Sequence, residues 1–116
     1  MRQVKDIAAR YRLRRSTGIQ FDFDLISAEN VPLLTSQLYA TKVGAENGIR
    51  SVRRHAPFES NYVRKIASPS QFFFILIATD GETLGRGGMH TTADSRDHSI
   101  WSVKSASRAA TVVDHT

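Results

Sequence analysis

One apolar run constrains the fold of this chain more than any other segment. Gln71 to Thr79 reads QFFFILIAT and is apolar on both of its possible strand faces. Aromatic and β-branched residues in such a run favour a central strand that is covered on both sides, since an exposed strand of this composition would aggregate. The run is far shorter than the ~20 residues of a membrane-spanning helix. We therefore expect a packed sheet and no membrane partner.

A sharp turn follows this run. Asp80-Gly81 is a strong hairpin signal, because a type I′ turn needs residues that accept a positive φ. The return strand, Glu82 to Thr91, is rich in glycine and predicts a bulge or a close approach of two backbones near Arg86. Glycines can also bring N–H groups to an anion, which makes Arg86 a candidate ligand-binding residue, although the helix of a phosphate-binding loop does not follow.

Three other segments predict helices. The first covers about residues 2 to 14, the second begins near Pro32, and the third begins near Pro57, since proline is tolerated in the first turn of a helix. In each segment apolar residues recur three or four positions apart, which is the period of a helix with one buried face. These apolar positions are Val4, Ile7, Ala8 and Tyr11, then Val31, Leu34 and Leu38, and finally Phe58, Tyr62 and Ile66.

Further strands are predicted on both sides of the hairpin. Residues 19–25 alternate between apolar and polar, which predicts an outer strand with Asp22 and Asp24 on its solvent face. A cation site or an acid–base pair is the alternative reading of these two carboxylates. Residues 98–104 predict another strand and residues 110–113 a short one, and we detect no internal repeat.

Together these elements predict a single compact α+β domain over residues 1–116. It would contain one antiparallel sheet of about four to five strands with about three helices. A chain of 116 residues, 41% of them hydrophobic, is large enough for one core. The sequence has no cysteine, which excludes a disulfide scaffold and thiolate chemistry. With no continuous apolar segment near the N-terminus, we expect a cytoplasmic protein.

Positive charge is concentrated near the N-terminus. The net charge is +5, and residues 1–15 hold six basic residues against Asp6 alone. Clustered positive charge attracts polyanions in a salt-dependent way, but the solvated face of a helix explains the same pattern. We therefore do not expect nucleic acid as the main partner. The candidate nucleic-acid-binding residues are Arg10, Arg12, Arg14, Arg15, Arg53 and Arg54.

A second group of candidate residues surrounds a polar loop. His90 and His98 flank this loop and Trp101 lies three residues further on, so the three side chains can meet in one small pocket. Imidazole titrates near neutrality and suits ligand binding or proton transfer. Exposed or internally bonded histidines are the alternative. The spacing of the histidines matches no metal-binding motif, and we expect no metal.

The order of these segments resembles the N-terminal half of a GNAT-type acyltransferase. The segments are IQFDFDLI, NVPLLTSQLY, FESNYVRKI, FFFILIAT, Asp80-Gly81, TLGRGGMHT and SIWSVK. That family holds the acyl-CoA pyrophosphate with an Arg/Gln-x-x-Gly-x-Gly/Ala loop at a helix start. Here Arg108 is followed by Thr111 where the loop needs its first glycine. The resemblance therefore implies a scaffold without the cofactor site and carries over no catalytic residue.

The sequence does not name a function, and three hypotheses stay open. We expect a small non-catalytic ligand-binding or assembly protein on a GNAT-like half-sheet, a homodimer with no cofactor, and with His90, His98, Trp101 and Arg86 as its ligand-binding residues. One alternative is a small-molecule enzyme whose pocket is completed by a dimer partner. The other is a protein that binds nucleic acid weakly and nonspecifically. Fold-level analogy does not choose among them.

Overall fold

The computed structural model describes residues 8–116 and contains one seven-stranded sheet with two α-helices. The strand order is β4-β5-β6-β3-β2-β1-β7, and neighbouring strands are antiparallel except for β1 and β7, which are parallel. The strands are β1 (Arg10–Arg15), β2 (Phe21–Ile26), β3 (Pro32–Thr35), β4 (Tyr62–Ser68), β5 (Gln71–Ile77), β6 (Thr83–Arg86) and β7 (Thr111–Asp114). The helices are α1 (Lys42–His55) and α2 (Ala93–Ala106), with a 3₁₀ turn at Glu59–Asn61.

The chain is an internal duplication. A shift of 51 residues carries β3 and α1 onto β6 and α2, and carries the bridge between Phe21 and Tyr39 onto the bridge between Phe72 and His90. The first half is β1-β2-β3-α1 and the second half is β4-β5-β6-α2, related by a pseudo-twofold axis between β3 and β6. The interpretation that the sequence has no internal repeat is therefore wrong.

One core lies between the sheet and the two helices, which cover the same face of the sheet. Alternate residues of the strands point into it, as period-2 geometry requires. The other face, called here the open face, carries no helix among the described residues. The largest fully buried strand residues of the core are Tyr11, Leu13, Phe23, Leu25, Leu34, Phe74, Leu76 and Leu84, and the helices add Ile49, Val52, Ile100 and Val103.

Both helices begin at a threonine. The Thr41 hydroxyl accepts a hydrogen bond from the Gly44 amide at 2.9 Å, and the Thr92 hydroxyl accepts one from the Ser95 amide at 3.1 Å. These caps satisfy amides that have no partner within the helix. Within residues 8–116 no helix is long and apolar enough to cross a membrane.

The predicted fold class is wrong in its strand and helix counts and in its purely antiparallel sheet. The segments expected to be helices at Pro32 and Pro57 form β3 and β4, where tertiary pairing overrides the local apolar period. Residues 10–14 of the first predicted helix lie in β1, and residues 2–7 lie outside the described part of the chain. Residues 98–104, expected as a strand, lie in α2 because Ile100 and Val103 are buried at helical spacing.

Other expectations are confirmed. β2, β5 and β7 match the predicted strands at 19–25, 71–79 and 110–113, and the Asp80-Gly81 hairpin joins β5 to β6. The turn type differs: only Gly81 has a positive φ, and its amide bonds to the Ala78 carbonyl at 2.9 Å, so the turn is not type I′.

The bulge expected near Arg86 is also confirmed, since the register between β5 and β6 shifts between Leu76 and Ile77. The glycines on either side of Arg86 lie close to side chains rather than to a second backbone. A Cβ atom on Gly87 would lie 2.2 Å from the Phe74 ring, and one on Gly85 would lie 2.7 Å from Leu34.

Two expectations about strand position need correction. β2 is an interior strand rather than an outer one, and Asp24 is only 4% exposed. Helices cover only one face of β5, and its residues Phe73 and Ile75 on the open face are therefore only half-buried. The sheet is therefore wider than expected, and its second face is less fully covered.

Two buried tyrosines tie each half to the helix of the other half. The Tyr11 hydroxyl in β1 donates to the carbonyl of Ser107, where α2 ends, and the Tyr62 hydroxyl in β4 donates to the carbonyl of Ala56, where α1 ends. Both distances are 2.7 Å. Burial raises the pKa of both phenols, so each stays a neutral donor.

We expect Tyr11→Phe and Tyr62→Phe each to lower the free energy of unfolding by about 1–2 kcal/mol, because each leaves a buried helix-end carbonyl without its donor. Urea unfolding followed by far-UV circular dichroism measures this loss. Tyr39→Phe is the matched control, since its hydroxyl bonds to neither helix end. A loss for Tyr39→Phe equal to the other two would contradict the cross-half role.

Candidate functional site

A cleft of about 480 Å³ lies between α2 and the hairpin that joins β2 to β3, and is called here the α2 cleft. Its two walls come from different halves of the chain, so it exists only in the assembled fold. Its volume lies within the range of small-molecule sites. The lining residues are Ser27, Glu29, Val31 and Leu33 from the hairpin, and His90, Ser95, His98, Ser99, Trp101 and Ser102 from α2 and the segment before it.

The α2 cleft brings together three of the four predicted ligand-binding residues. Trp101 stacks on His98 with ring centroids 5.8 Å apart and an angle of 23° between the planes, yet it is 61% exposed. His90 precedes α2, and its Nδ1 lies 2.7 Å from the Ser95 hydroxyl oxygen. The geometry thus matches the predicted grouping, and ligand binding by these residues stays a prediction.

The surroundings of His90 favour its neutral imidazole form. Partial burial and the nearby positive charge of Arg96 lower the pKa of His90 below its ordinary value of 6.5. Its backbone is fixed by two hydrogen bonds of 2.8 Å to Phe72. A neutral ring in a fixed place presents one N–H donor and one acceptor nitrogen to the Ser95 hydroxyl and the cleft.

The hairpin wall contributes residues that the sequence did not reveal. The Ser27 hydroxyl accepts hydrogen bonds from the amides of Glu29 at 3.2 Å and Val31 at 3.1 Å, and Asn30 adopts a positive φ of 69°. This tight turn holds Glu29 and Val31 at the rim of the α2 cleft. The internal repeat was the available signal, because these residues lie 51 positions before the Asp80-Gly81 hairpin.

The charge of the cleft restricts its ligands. Among the described residues that line it there is no lysine or arginine, and Glu29 is the one carboxylate. A phosphate or carboxylate would find no cation here, whereas hydroxyl, amide and ammonium groups would find oxygen acceptors. Residues 8–116 contain no group of three or more His, Asp or Glu side chains placed to hold a metal ion.

The duplication creates a second cleft of about 520 Å³ between α1 and the β5–β6 hairpin, called here the α1 cleft. Tyr39 takes the place of His90, and its ring stacks on Phe23 with centroids 6.2 Å apart. His55 Nε2 lies 3.2 Å from the Thr79 hydroxyl oxygen, so these two groups satisfy each other. Arg50 holds the position equivalent to Trp101, and the α1 cleft therefore lacks the exposed aromatic platform.

Arg86, the fourth predicted ligand-binding residue, lies elsewhere. Its guanidinium carbon is 4.3 Å from the centroid of the Phe73 ring on the open face, and it lines neither cleft. This contact is a cation–π interaction that covers part of the apolar β5 surface. The structure separates Arg86 from His90, His98 and Trp101, and a binding role for it stays a prediction.

The candidate nucleic-acid-binding arginines are divided between the two faces of the sheet. Arg12 and Arg14 pair with Asp24 at 2.6 and 3.0 Å on the open face, and Arg10 shares that face by strand alternation. Arg53 lies over the Tyr11 ring on the helix face. Arg15 lies over the Phe21 ring, and Arg54 is on α1. Nucleic-acid binding stays untested, but Arg12 and Arg14 are already neutralised by aspartate.

We expect the double variant Arg12→Gln with Arg14→Gln to lower the free energy of unfolding by about 1–3 kcal/mol, because it leaves the buried Asp24 carboxylate without cations. Arg54→Gln with Lys65→Gln removes the same charge from exposed positions and should change stability by less than about 0.5 kcal/mol. Thermal unfolding of both variants checks this difference. Equal melting temperatures would show that the Asp24 pairs contribute nothing.

Comparison with known proteins agrees with the duplicated fold. The model of a family described as a domain of unknown function, DUF1508, matches twice, over residues 16–62 and 67–114. UPF0339 protein YegP of Escherichia coli strain K12 is 40% identical over 110 residues, which cover 95% of this chain and all of YegP. A UPF0339 protein of Bordetella pertussis is 37% identical over 106 residues, covering 91% of this chain and 96% of that one.

Two solution NMR structures share the fold. The yegP protein of E. coli superposes with a TM-score of 0.89 at 39% identity and covers 97% of each chain. UPF0339 protein SO3888 of Shewanella oneidensis superposes with a TM-score of 0.86 at 34% identity, covering 92% of this chain and 91% of that one. These matches and the duplicated sheet show that the predicted resemblance to GNAT-type acyltransferases is wrong. The strand and helix order on which it rested differs from the order in the structure. The chain belongs to the DUF1508 family, a family of unknown function.

Proposed function

We propose that this protein is a small non-catalytic binding protein that holds a neutral or cationic small molecule in the α2 cleft. The observation that carries this proposal is the convergence of an exposed tryptophan with histidine and serine side chains in one cleft of about 480 Å³. Apolar clefts with a few converging polar groups are the usual form of small-molecule sites.

Trp101 supplies the apolar platform. Stacking on His98 orients the indole ring before any ligand arrives, so little side-chain freedom is lost on binding. Val31 and Leu33 supply apolar surface from the hairpin, and Val31 is half exposed. A flat or methyl-bearing ligand face would therefore be covered by the indole ring and by the hairpin wall.

The polar groups favour donors on the ligand. The Glu29 carboxylate accepts hydrogen bonds from hydroxyl or ammonium groups, and the neutral His90 and the serine hydroxyls accept or donate. An ammonium group would also gain from the indole face through a cation–π interaction. A carboxylate or phosphate would be desolvated without a cationic partner, which costs binding free energy.

The arrangement favours binding over catalysis. His90 contacts the Ser95 hydroxyl, but no carboxylate in the described part of the chain accepts a hydrogen bond from its ring. A serine nucleophile activated by histidine normally needs a third group to orient the imidazole. The α2 cleft is complete within one chain, so the proposal does not depend on the homodimer predicted from the sequence.

Three matched aromatic probes test this proposal. We expect benzyl alcohol and benzylamine to change the Trp101 fluorescence and the His98 ring resonances with dissociation constants in about the millimolar range, and benzoate to bind at least about tenfold more weakly, because Glu29 repels its charge. Trp101 is the single tryptophan, so all tryptophan emission reports on the surroundings of this one ring, and the His98 resonances distinguish the α2 cleft from the smaller cavity on the Ala106 side of the ring. Equal binding of all three probes, or tightest binding of benzoate, would contradict the proposed selectivity.

Variants locate the binding. Trp101→Ala should abolish the probe-induced shifts at His90 and His98, whereas Arg50→Ala, the equivalent position in the other half, should leave them unchanged. Glu29→Gln should weaken benzylamine more than benzyl alcohol, since only benzylamine is charged. Probe-induced shifts centred on Tyr39 and His55 in every variant would place binding in the α1 cleft and overturn the proposal.

A further inference from the structure

We infer that the outer edge of β4 is a docking site for an extended peptide of a partner protein, which adds to the sheet as a parallel strand and carries two adjacent β-branched residues followed by an acidic residue. The starting observation is that β1, the equivalent strand of the first half, already holds such a strand. β7 pairs with the outer side of β1 in parallel orientation and has the sequence TVVD.

The two edges of the duplicated sheet differ in what covers them. The shift of 51 residues carries Tyr11 and Leu13 of β1 onto Tyr62 and Arg64 of β4. β1 pairs with β2 on its inner side and with β7 on its outer side. β4 pairs with β5 on its inner side, and within residues 8–116 no strand pairs with its outer side. The position that β7 fills beside β1 is thus open beside β4.

The outer side of β4 presents backbone groups in the same pattern as β1. Phe72 and Phe74 direct their backbone groups towards the β6 side, so Phe73 and Ile75 bond to β4 through their partners Lys65 and Val63. The carbonyl of Tyr62 and both backbone groups of Arg64 therefore point outward. At the position equivalent to Arg64, the Leu13 carbonyl accepts a hydrogen bond from the His115 amide at 2.8 Å.

The register of β7 transfers to β4 with favourable side-chain pairs. On β1, Val112 lies opposite Tyr11, Val113 opposite Arg12, and Asp114 opposite Leu13. The same register on β4 sets the first valine opposite Tyr62, the second valine opposite Val63, and the acidic residue opposite Arg64. These are an aromatic–β-branched pair, an apolar pair and an opposite-charge pair, which stabilise neighbouring strands.

Charge at the β4 edge selects an acidic segment. Arg64 is exposed and pairs with Glu59 and Asp97. These two carboxylates also pair with Lys104 at 2.5 Å and Arg96 at 3.1 Å, so three cations share two carboxylates and one positive charge stays in excess beside Arg64. Two β4 strands brought edge to edge would oppose these cations, and exposed charges on edge strands act against such self-pairing. The β7 strand of a second copy is already held on its own β1, where Lys42 and Asp114 pair at 2.6 Å. A free extended segment is therefore the occupant that fits.

A synthetic peptide with the sequence of residues 108–116, RAATVVDHT, is the direct probe. Titrated into the intact ¹⁵N-labelled protein, it should shift the Arg64 and Ile66 amides in a saturable way, and a nitroxide on its N-terminus should broaden resonances near Tyr62 more than those near Ser68. Shifts confined to β1 and β7, broadening strongest near Ser68, or no saturable shift would overturn the inference.

Charge reversal tests the recognition. Arg64→Glu should weaken the peptide at least tenfold, and a peptide whose aspartate is replaced by arginine should regain that loss on the variant. Lys65→Glu is the matched control, because strand alternation places its side chain on the open face, away from Arg64 and the peptide's aspartate, and it should change affinity less than threefold. Unfolding midpoints confirm that both variants fold. Equal loss in both variants, or no rescue by the reversed peptide, would contradict the proposed register.

The β4 edge and the α2 cleft are tested independently. Benzyl alcohol should bind the protein with the same affinity in the presence and absence of the peptide, so a negative result for one site leaves the proposal for the other site unaffected.

Discussion

Two tyrosine hydroxyls donate hydrogen bonds to the helix ends of the opposite half and so tie the two halves of the fold together. β3 and β6 meet at the sheet centre through a single paired position, Thr35 and Arg86, so the strand ladder alone joins the halves weakly. Tyr11 and Tyr62 cross that junction and satisfy carbonyls at which α2 and α1 end. Each half therefore completes the other, and a buried carbonyl without its donor would destabilise both.

This crossed arrangement also explains where the clefts form. Because each helix packs over strands of both halves, each cleft has one wall from a helix and one from the hairpin of the other half. Several core positions carry the same residue in both halves, whereas the residues that line the two clefts differ. Trp101 and His98 in the α2 cleft correspond to Arg50 and Asn47 in the first half. One scaffold thus presents two cavities of similar size and different chemistry.

Sequence patterns located part of this architecture and missed the rest for physical reasons. The alternating residues of β2 and the doubly apolar β5 showed their period directly. RYRLRR forms a strand because Tyr11 and Leu13 enter the core at period 2 and because the aspartates of β2 pair with two of its arginines, and both partners are distant in sequence. His90, His98 and Trp101 were predicted to meet, although through a strand rather than α2. The hairpin that forms the other wall of the α2 cleft belongs to the first half of the chain. Its position opposite α2 could be predicted only by recognising the internal repeat. The repeat is visible in the pairs Tyr11 and Tyr62, Phe23 and Phe74, Thr41 and Thr92, Ile49 and Ile100, and Val52 and Val103.

We propose that the duplicated fold uses the α2 cleft for neutral or cationic ligands. Crystals soaked with a library of neutral, cationic and anionic aromatic fragments test it most directly, because bound fragments appear wherever they sit. We expect fragment density stacked on Trp101 and hydrogen-bonded to Glu29 or His90, from the neutral and cationic fragments only. Density confined to the α1 cleft, or anionic fragments bound against Trp101, would contradict it.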